Sequence, residues 1–222
     1  MTSPAPYIDH TLLKPETTAD QIRALCEEAV EFGFASVCVP PVFVPLAADL
    51  LYGSEIATGT VVGFPFGYVP TAVKAFESSR AVAAGATELD MVIHLGAVLS
   101  GRLEEVEGEI RQVVEAARGA LVKVIIECCC LPLPLKEALV ECVVRGGGGY
   151  VKTSTGFAAG GATVADVRLL AGAAKGRIGV KAAGGIRDWE GCHAMIEAGA
   201  SRVGTSAGVK ILEQWQDRDG IK

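Results

Sequence analysis

Two Val-Lys dipeptides are the part of this 222-residue chain that first indicates chemistry. They lie in the stretches GYVKTSTGF (149–157) and GVKAAGGIR (179–187), and in each a strand-like run that carries the lysine leads into a glycine-rich turn. On neighbouring parallel strands the two lysines would be about 5 Å apart, and their like charges would repel by roughly 1 to 4 kcal/mol. Repulsion and burial together lower the pKa of one amine, which can then attack a carbonyl and form a Schiff base. The spacing alone leaves open whether Lys152 or Lys181 is the nucleophile.

Alternation along the strands predicts which further side chains face the same interior as the two lysines. In the run from 88 to 93, Glu88 and Asp90 point inward, while Leu89 and Met91 point outward. The residues predicted to face the interior axis are Asp90, Lys123, Glu127, Lys152 and Lys181, with Asp9 and Glu88 as further members. Because buried charges are costly unless they are paired, this concentration favours a functional site, with a structural ion-pair network as the alternative. Asp90 could hold the second ammonium and help to pass protons through an ordered water.

Glycines in the turns after the last two predicted strands suit a phosphate group. Gly184 and Gly185 follow the seventh strand, and Gly204 and Ser206 follow the eighth, where barrel enzymes commonly bind phosphate with backbone N–H groups and a helix N-terminus. Gly156, after the sixth strand, would widen this site. Because these loops have no arginine cluster, we expect the backbone N–H groups to be the main contacts, with the Ser206 hydroxyl adding a bond. Glycine is also frequent in such turns for backbone reasons alone, so no single glycine is strong evidence. The prediction depends on the occurrence of glycines after both the seventh and the eighth strands.

Strands and helices must alternate along the whole chain to bring these residues together. Apolar runs and turn residues predict strands at 7–11, 34–39, 55–64, 88–93, 121–128, 149–155, 177–182 and 201–204. Helices are predicted after them at 18–32, from the prolines near 41 to about 52, and at 71–84, 102–118, 135–144, 163–174, 188–198 and up to about 215. Eight such units without a linker predict one domain, 1–222, in the α/β class and with the fold of a (β/α)8 TIM barrel. The rival, an open doubly wound sheet, would have a glycine-rich fingerprint after its first strand, where this chain has HTLLKP (10–15).

Composition and cysteine usage exclude several classes of function. A formal net charge of −6, a sequence pI near 5.2 and the lack of a lysine or arginine block argue against a nucleic-acid partner. Seven cysteines, an odd number, and histidines away from ligand spacing predict neither a disulfide framework nor a metal site, and no cofactor is expected. His10, His94 and His193 are predicted to be surface or loop residues. The start shows no secretory signal and prolines interrupt the longest apolar stretch (33–53), so we expect a cytoplasmic protein without membrane segments.

Eight stretches resemble the deoxyribose-phosphate aldolase family, and they follow one another over nearly the whole chain. They are DHTLLKP (9–15), SVCV (36–39), VGFPFG (62–67), ELDMVI (88–93), YVKTSTGF (150–157), GAT (161–163), VKAAGGIR (180–187) and ASRVGTSAG (200–208). The two lysine motifs together are the most specific part. The resemblance implies a class I aldolase on a TIM barrel that reversibly cleaves 2-deoxy-D-ribose 5-phosphate to D-glyceraldehyde 3-phosphate and acetaldehyde. The partners would be this phosphorylated sugar and acetaldehyde, and the protein would be a homodimer or homotetramer.

The same resemblance implies roles for individual residues. Lys152 would form the Schiff base, Lys181 would lower its pKa, and Asp90 would donate or accept the proton. Asp9 could hydrogen-bond a substrate hydroxyl or only close a charge network. Cys38, at the barrel mouth, could be alkylated by aldehydes or only fill space. The run Cys128–Cys130 departs from the family's pattern, and we predict plain packing for it.

Two other kinds of function remain open from the residues alone. Another phosphosugar aldolase, an isomerase or an epimerase would share the phosphate loops. An isomerase or epimerase would use a carboxylate or histidine base, however, and would gain nothing from paired inward lysines. A phosphosugar sensor without catalysis could keep the glycine loops, but it would have no reason to keep Lys152, Lys181 and Asp90 together.

Overall fold

Eight parallel strands close into one barrel in the computed structural model, which describes residues 2–219. Each strand pairs with the next in chain order, and the eighth pairs with the first. The strands are β1 Ile8–Thr11, β2 Ser36–Val39, β3 Ala57–Val62, β4 Glu88–Val92, β5 Leu121–Ile125, β6 Tyr150–Lys152, β7 Gly179–Ala183 and β8 Arg202–Thr205. The (β/α)8 TIM barrel predicted from the alternating pattern is confirmed, and the open doubly wound sheet is excluded.

Helices surround the barrel and cover its apolar outer face. They are α1 Ala19–Phe32, α2 Val44–Leu50, α3 Thr71–Ala83, α4 Leu95–Leu99, α5 Leu103–Ala116, α6 Leu133–Arg145, α7 Val164–Ala174, α8 Trp189–Glu197 and α9 Gly208–Asp219. The short α4 was not predicted from the sequence. Across residues 2–219, no helix has both the length and the apolar character needed to cross a membrane.

The side chains between strands and helices come from the positions that the alternation assigned to the outside. Leu89 and Met91 of β4, and Val122 and Val124 of β5, are at most 2% exposed and belong to the main apolar core. Burial of such a side chain stabilises the fold by about 1.5 to 3 kcal/mol. The opposite face of the same strands is therefore left for the charged residues of the barrel axis.

Three helices begin at a side-chain cap. Thr18 accepts a hydrogen bond from Gln21 N at 3.4 Å, and the Gln21 side chain accepts one from Thr18 N at 2.9 Å, which forms a capping box before α1. Thr163 caps α7 and Asp188 caps α8. Each cap contributes about 0.5 to 2 kcal/mol and fixes where the preceding loop ends.

β5 and β6 are shorter than predicted, and their early ends shape the mouth of the barrel. The pattern predicts ends at positions 128 and 155, whereas β5 ends at Ile125 and β6 at Lys152. Glu127 has a φ of 52°, in the left-handed region that few non-glycine residues adopt, and a 3-10 turn follows at Cys128–Cys130. Residues 126–131 and 153–163 therefore lie outside the strands, at the carboxyl end of the barrel where enzymes of this fold place their sites.

Candidate active site

Two lysines share one carboxylate oxygen inside the barrel. The pairing register places Lys152 of β6 beside Lys181 of β7. The Nζ of Lys152 donates to Asp90 Oδ2 at 2.7 Å, and the Nζ of Lys181 donates to the same oxygen at 2.6 Å. All three side chains are at most 3% exposed. The structure thus brings together the three residues that alternation had placed on one axis.

Further charged side chains surround this group. Lys123 Nζ lies 3.2 Å from Asp90 Oδ1 and 3.4 Å from Asp9 Oδ2, and it also contacts Glu88. Lys181 Nζ lies 2.5 Å from Asp9 Oδ2. Asp9 is therefore part of the charge network, and Lys181 is held between two carboxylates.

Arg202 of β8 is a member of the cluster that sequence reasoning missed. Its Nε donates to Asp9 Oδ1 at 2.6 Å, and its Nη1 and Nη2 donate to Glu88 at 3.1 and 2.8 Å. The signal was present, because Arg202 stands two residues before Gly204 in the predicted strand and alternation puts both on the inner face. Four cations now face three carboxylates: Lys123, Lys152, Lys181 and Arg202 against Asp9, Glu88 and Asp90.

The buried charges shift one another's pKa values in different directions. Burial, with the nearby charge of Lys181, lowers the pKa of Lys152 below that of an ordinary lysine despite the attraction of Asp90. Burial acts on Lys181 in the same sense, but Asp9 and Asp90 outweigh it and raise its pKa. Burial alone would raise the pKa of Asp90, but three ammonium groups hold it well below its usual range. Lys152 therefore loses its proton more readily than Lys181, and Asp90 stays ionised.

A cavity of about 360 Å³ lies at the carboxyl end of the barrel. Among Lys123, Lys152 and Lys181, all within the described chain, only Lys152 lines it. Its wall includes all five residues predicted for phosphate binding, which are Gly156, Gly184, Gly185, Gly204 and Ser206. The remaining predicted site residues are buried and do not line it, namely Asp9, Cys38, Asp90 and Lys181. One cavity therefore joins a buried amine to the glycine loops.

The loops after β7 and β8 are fixed by backbone geometry and by one hydroxyl. Gly184 and Gly185 have φ angles of 88° and 82°, where any side chain would be strained. The Thr205 hydroxyl donates to Ile186 O at 2.7 Å and accepts from Ala207 N at 3.0 Å, which ties the two loops together. These contacts fix the arrangement of the two loops, whereas Gly204 lies inside β8 and not after it, contrary to the prediction.

Two cationic side chains in the cavity wall were not predicted. Lys14, after β1, and Arg187, after β7, both line the cavity. The prediction relied on backbone N–H groups because no arginines cluster in these loops, but single cations from two different loops contribute to the same wall. Lys14 belongs to the motif DHTLLKP and Arg187 to the motif VKAAGGIR, and their positions in these motifs could have identified them from the sequence.

Glu127 lies outside the lysine cluster, contrary to the prediction. Its carboxylate accepts hydrogen bonds from Thr155 N at 3.3 Å and from the Thr155 hydroxyl. The reason is the early end of β5, because the positive φ of Glu127 breaks the alternation and directs its side chain to the loop after β6. Thr155 lines the cavity, so Glu127 supports part of the cavity wall.

Cys38 and His10 are both buried. Cys38 of β2 is 2% exposed, and burial together with the charge of Asp90 raises the pKa of its thiol to about 11. The prediction of a surface or loop position is wrong for His10, which is 3% exposed in β1 and hydrogen-bonds Glu28 at 2.6 Å. His10 alternates with the inward Asp9, so it points into the layer between strands and helices, where its ring packs on Phe34.

Known proteins resemble this chain over nearly its whole length. Residues 5–214 match the DeoC/LacD family of aldolases. The deoxyribose-phosphate aldolase of Syntrophotalea carbinolica is 59% identical over 217 residues, which cover 98% of each chain. The deoxyribose-phosphate aldolase of Exiguobacterium sibiricum is 53% identical over 94% of this chain and 95% of its own.

Solved structures agree with the sequence matches. The aldolase QR15 has a TM-score of 0.94 to this chain at 40% identity, and the match covers 100% of this chain and 99% of QR15. The tetrameric deoxyribose phosphate aldolase from Aeropyrum pernix has a TM-score of 0.90 at 38% identity, with 96% and 91% covered. Because the matches in sequence and in fold both extend over almost the full length, the chain belongs to the DeoC/LacD family of aldolases.

Proposed function

We propose that the protein is a class I deoxyribose-phosphate aldolase, a lyase that reversibly cleaves 2-deoxy-D-ribose 5-phosphate to D-glyceraldehyde 3-phosphate and acetaldehyde. The observation that carries the proposal is that Lys152, a buried amine with a lowered pKa, lines the same cavity as the glycine loops. Such an amine suits covalent attack on an aldehyde, and such loops suit a phosphate. Membership of an aldolase family and the activity named for the relatives support the same reaction, which would serve deoxyribose phosphate degradation.

In the proposed first step, the neutral amine of Lys152 attacks the C1 aldehyde of the open-chain sugar phosphate. Addition gives a carbinolamine, and loss of water gives an iminium ion on the lysine nitrogen. The charge count of the cluster supports a neutral amine, because release of one proton leaves three cations facing three carboxylates. Lys181 acts in this step through its charge, since an ammonium on the same Asp90 oxygen disfavours a second ammonium beside it.

In the proposed second step, the iminium nitrogen takes up the electron pair of the bond between C2 and C3. The C3 hydroxyl loses its proton, glyceraldehyde 3-phosphate leaves, and the two carbons kept on Lys152 form an enamine. A proton returned to C2 gives an iminium ion again, and its hydrolysis releases acetaldehyde and restores the amine.

We assign the proton transfers to Asp90, whose Oδ2 lies 2.7 Å from Lys152 Nζ. The pKa of Asp90 is low while three ammonium groups surround it. A carbinolamine at Lys152 is neutral, so at that stage Asp90 faces two ammonium groups and its pKa is less depressed. The carboxylate therefore accepts a proton more readily at the carbinolamine stage than while three cations surround it.

The phosphate is proposed to bind between the loops after β7 and β8. The proposed contacts are the backbone N–H groups of Gly184 and Gly185, the Ser206 hydroxyl, and the charges of Lys14 and Arg187, while Gly156 and Gly204 contribute to the cavity wall without a side chain. Helix α8 is a poor candidate for the anion, because Asp188 already accepts a hydrogen bond from Gly191 N at 2.8 Å at its first turn. Helix α9 begins two residues after Ser206 and is the better candidate.

Borohydride trapping tests the nucleophile and the reaction class together. Incubation with acetaldehyde followed by reduction leaves one ethyl group on the amine that formed the imine, and peptide mass spectrometry locates it. We expect label on Lys152 alone. Lys152→Arg, which keeps the charge, should lose both label and cleavage. Label on Lys181, or label that persists in Lys152→Arg, would reverse the two roles, and turnover without any label would favour a base-catalysed isomerase.

We further propose that the protein works in the cytoplasm as a homodimer or homotetramer. The relative from Aeropyrum pernix is described as tetrameric. Phe66, Tyr68 and Phe76 are more than half exposed here, which supports a surface that a second copy covers. The seven free cysteines support a reducing compartment. Light scattering of the purified protein measures its mass, and a monomer at micromolar concentration would contradict the proposed assembly.

A further inference from the structure

The run Cys128–Cys130 is a motif that the proposed aldolase reaction does not use. It forms a 3-10 turn directly after Glu127 at the carboxyl end of the barrel. Cys128 is fully buried, as plain packing predicts, but Cys129 and Cys130 are exposed. The Sγ atoms of Cys129 and Cys130 lie 3.9 Å apart. Packing therefore explains the first cysteine and leaves two adjacent thiols at the surface.

We propose that Cys129 and Cys130 form a dithiol site for organic arsenic(III) compounds, and that occupation of this site inhibits the enzyme. An arsenic(III) oxide R–As=O condenses with both thiols, so that two As–S bonds form, the As=O bond breaks, and the two thiol protons leave with the oxygen as water. Arsenic stays trivalent, so the step needs no oxidant. The second As–S bond forms within one molecule, which gives the pair an advantage over separate thiols in solution.

A disulfide between the same two thiols is disfavoured by the backbone. Adjacent Cα atoms are about 3.8 Å apart across a trans peptide bond, whereas disulfides usually join Cα atoms about 4.4 to 6.8 Å apart. Partial burial, the contact with Cys129 and the charge of Glu127 raise the pKa of the Cys130 thiol, which slows oxidation through the thiolate. Cys128 is unsuited as a third ligand, because it is buried and the pKa of its thiol is raised to about 12. The pair therefore stays reduced and open to a ligand that bridges two sulfurs.

The dithiol touches parts of the chain that shape the cavity. Cys129 Sγ lies 4.0 Å from Glu127 Oε1, and Glu127 holds Thr155. Cys129 also packs closely on Gly160, where an added Cβ would be 2.7 Å from the Cys129 Cβ. Gly160 belongs to the same loop as Gly156 and Thr155, which line the cavity. A bulky group on Cys129 therefore displaces this loop or Glu127 and distorts the cavity. The resulting loss of activity rests on the proposed function, whereas the binding of arsenic to the two thiols does not.

Phenylarsine oxide with a large excess of a monothiol tests the site on the whole purified protein. Intact-mass spectrometry should show one phenylarsenic group on the wild type. Cys129→Ser and Cys130→Ser should each lose it, because a single thiol cannot compete with the free monothiol. Cys192→Ala, which removes a buried cysteine of α8, is the matched control and should keep the group. A small dithiol added afterwards should strip the group from the wild type.

Activity is measured in parallel as acetaldehyde release. We expect a roughly tenfold or larger fall on occupation of the wild type, corresponding to about 1.4 kcal/mol or more, and no fall in the two serine variants. A wild type that does not retain the group, or a serine variant that does, would overturn the site; alanine variants at the same two positions replace any serine variant that fails to fold. Full activity with the group bound would overturn the link to the cavity. Absence of cleavage in the untreated wild type would count against the aldolase assignment. The dithiol site would then be tested by the intact-mass measurement alone.

Discussion

Replacement of Lys181 by methionine removes its charge and keeps most of its volume. The amines of Lys152 and Lys181 each lie within 2.7 Å of Asp90 Oδ2, so they are at most about 5.4 Å apart. At an effective dielectric constant of about 20, two like charges at this distance repel by about 3 kcal/mol. Since every 1.4 kcal/mol is about a tenfold change in an equilibrium constant, the fraction of neutral Lys152 at neutral pH should fall by about a hundredfold in Lys181→Met.

The pH dependence of kcat/KM is the assay for this variant. Without its ammonium neighbour Lys152 keeps its proton to higher pH, so the limb on which activity rises with pH should move to the alkaline side. Activity at neutral pH should fall by about a hundredfold and recover in part in alkali. Lys181→Arg is the matched control, because it keeps the cation and should keep the limb in place even where its larger side chain lowers the plateau. A limb that stays at the wild-type pH in Lys181→Met, or moves to lower pH, would refute the reasoning.

Four further predictions concern other parts of the site. Asp90→Asn should lower kcat by roughly a hundredfold or more while thermal unfolding stays cooperative, since it removes the proton acceptor; aggregation with no soluble protein would favour a structural ion pair instead. Ser206→Asp should raise KM for the phosphorylated sugar far more than for 2-deoxyribose, and equal rises would remove this loop from phosphate binding. Glu127→Gln turns an amide donor toward Thr155 and should raise KM roughly tenfold with a smaller change in kcat, which steady-state kinetics separates. Cys38, with its thiol pKa raised to about 11, should resist iodoacetamide at neutral pH and react as pH approaches that value; fast alkylation at neutral pH would contradict its burial.

The inward charges could be predicted because a strand alternates with a period of two, whatever surrounds it. Asp90, Lys152 and Lys181 all lie within strands, and the structure places them on one axis. The same rule could not distinguish the two lysines. Their difference comes from Asp9, which lies 2.5 Å from Lys181 Nζ and belongs to a strand at the other end of the chain. Only the closure of the barrel between β8 and β1 brings Asp9 there.

The rules of alternation and amphipathicity fail where strands end and where a partner comes from another element. Glu127 follows the last residue of β5 by two positions, and its backbone conformation directs it to Thr155. Lys74 and Glu109 stand on helices α3 and α5, where a charged residue is expected at the surface. Instead they form a buried pair at 2.6 Å, and Lys74 also donates to the carbonyl of Val92 at 2.7 Å. Neither helix alone contains the information that the other supplies the opposite charge.

The odd number of charges in the barrel explains why one lysine differs from the rest. Burial of each charge costs several kcal/mol unless it is paired, so the cluster is most favourable when cations and carboxylates are equal in number. Four cations against three carboxylates make the loss of one proton favourable, and the contacts decide which group loses it. Lys123 contacts three carboxylates, and Lys181 and Arg202 contact two each, whereas Lys152 contacts Asp90 alone among the described residues. The amine with the fewest carboxylate partners, Lys152, is also the one that lines the cavity. Loss of its proton removes the excess positive charge and leaves a neutral amine at the place where an aldehyde can bind.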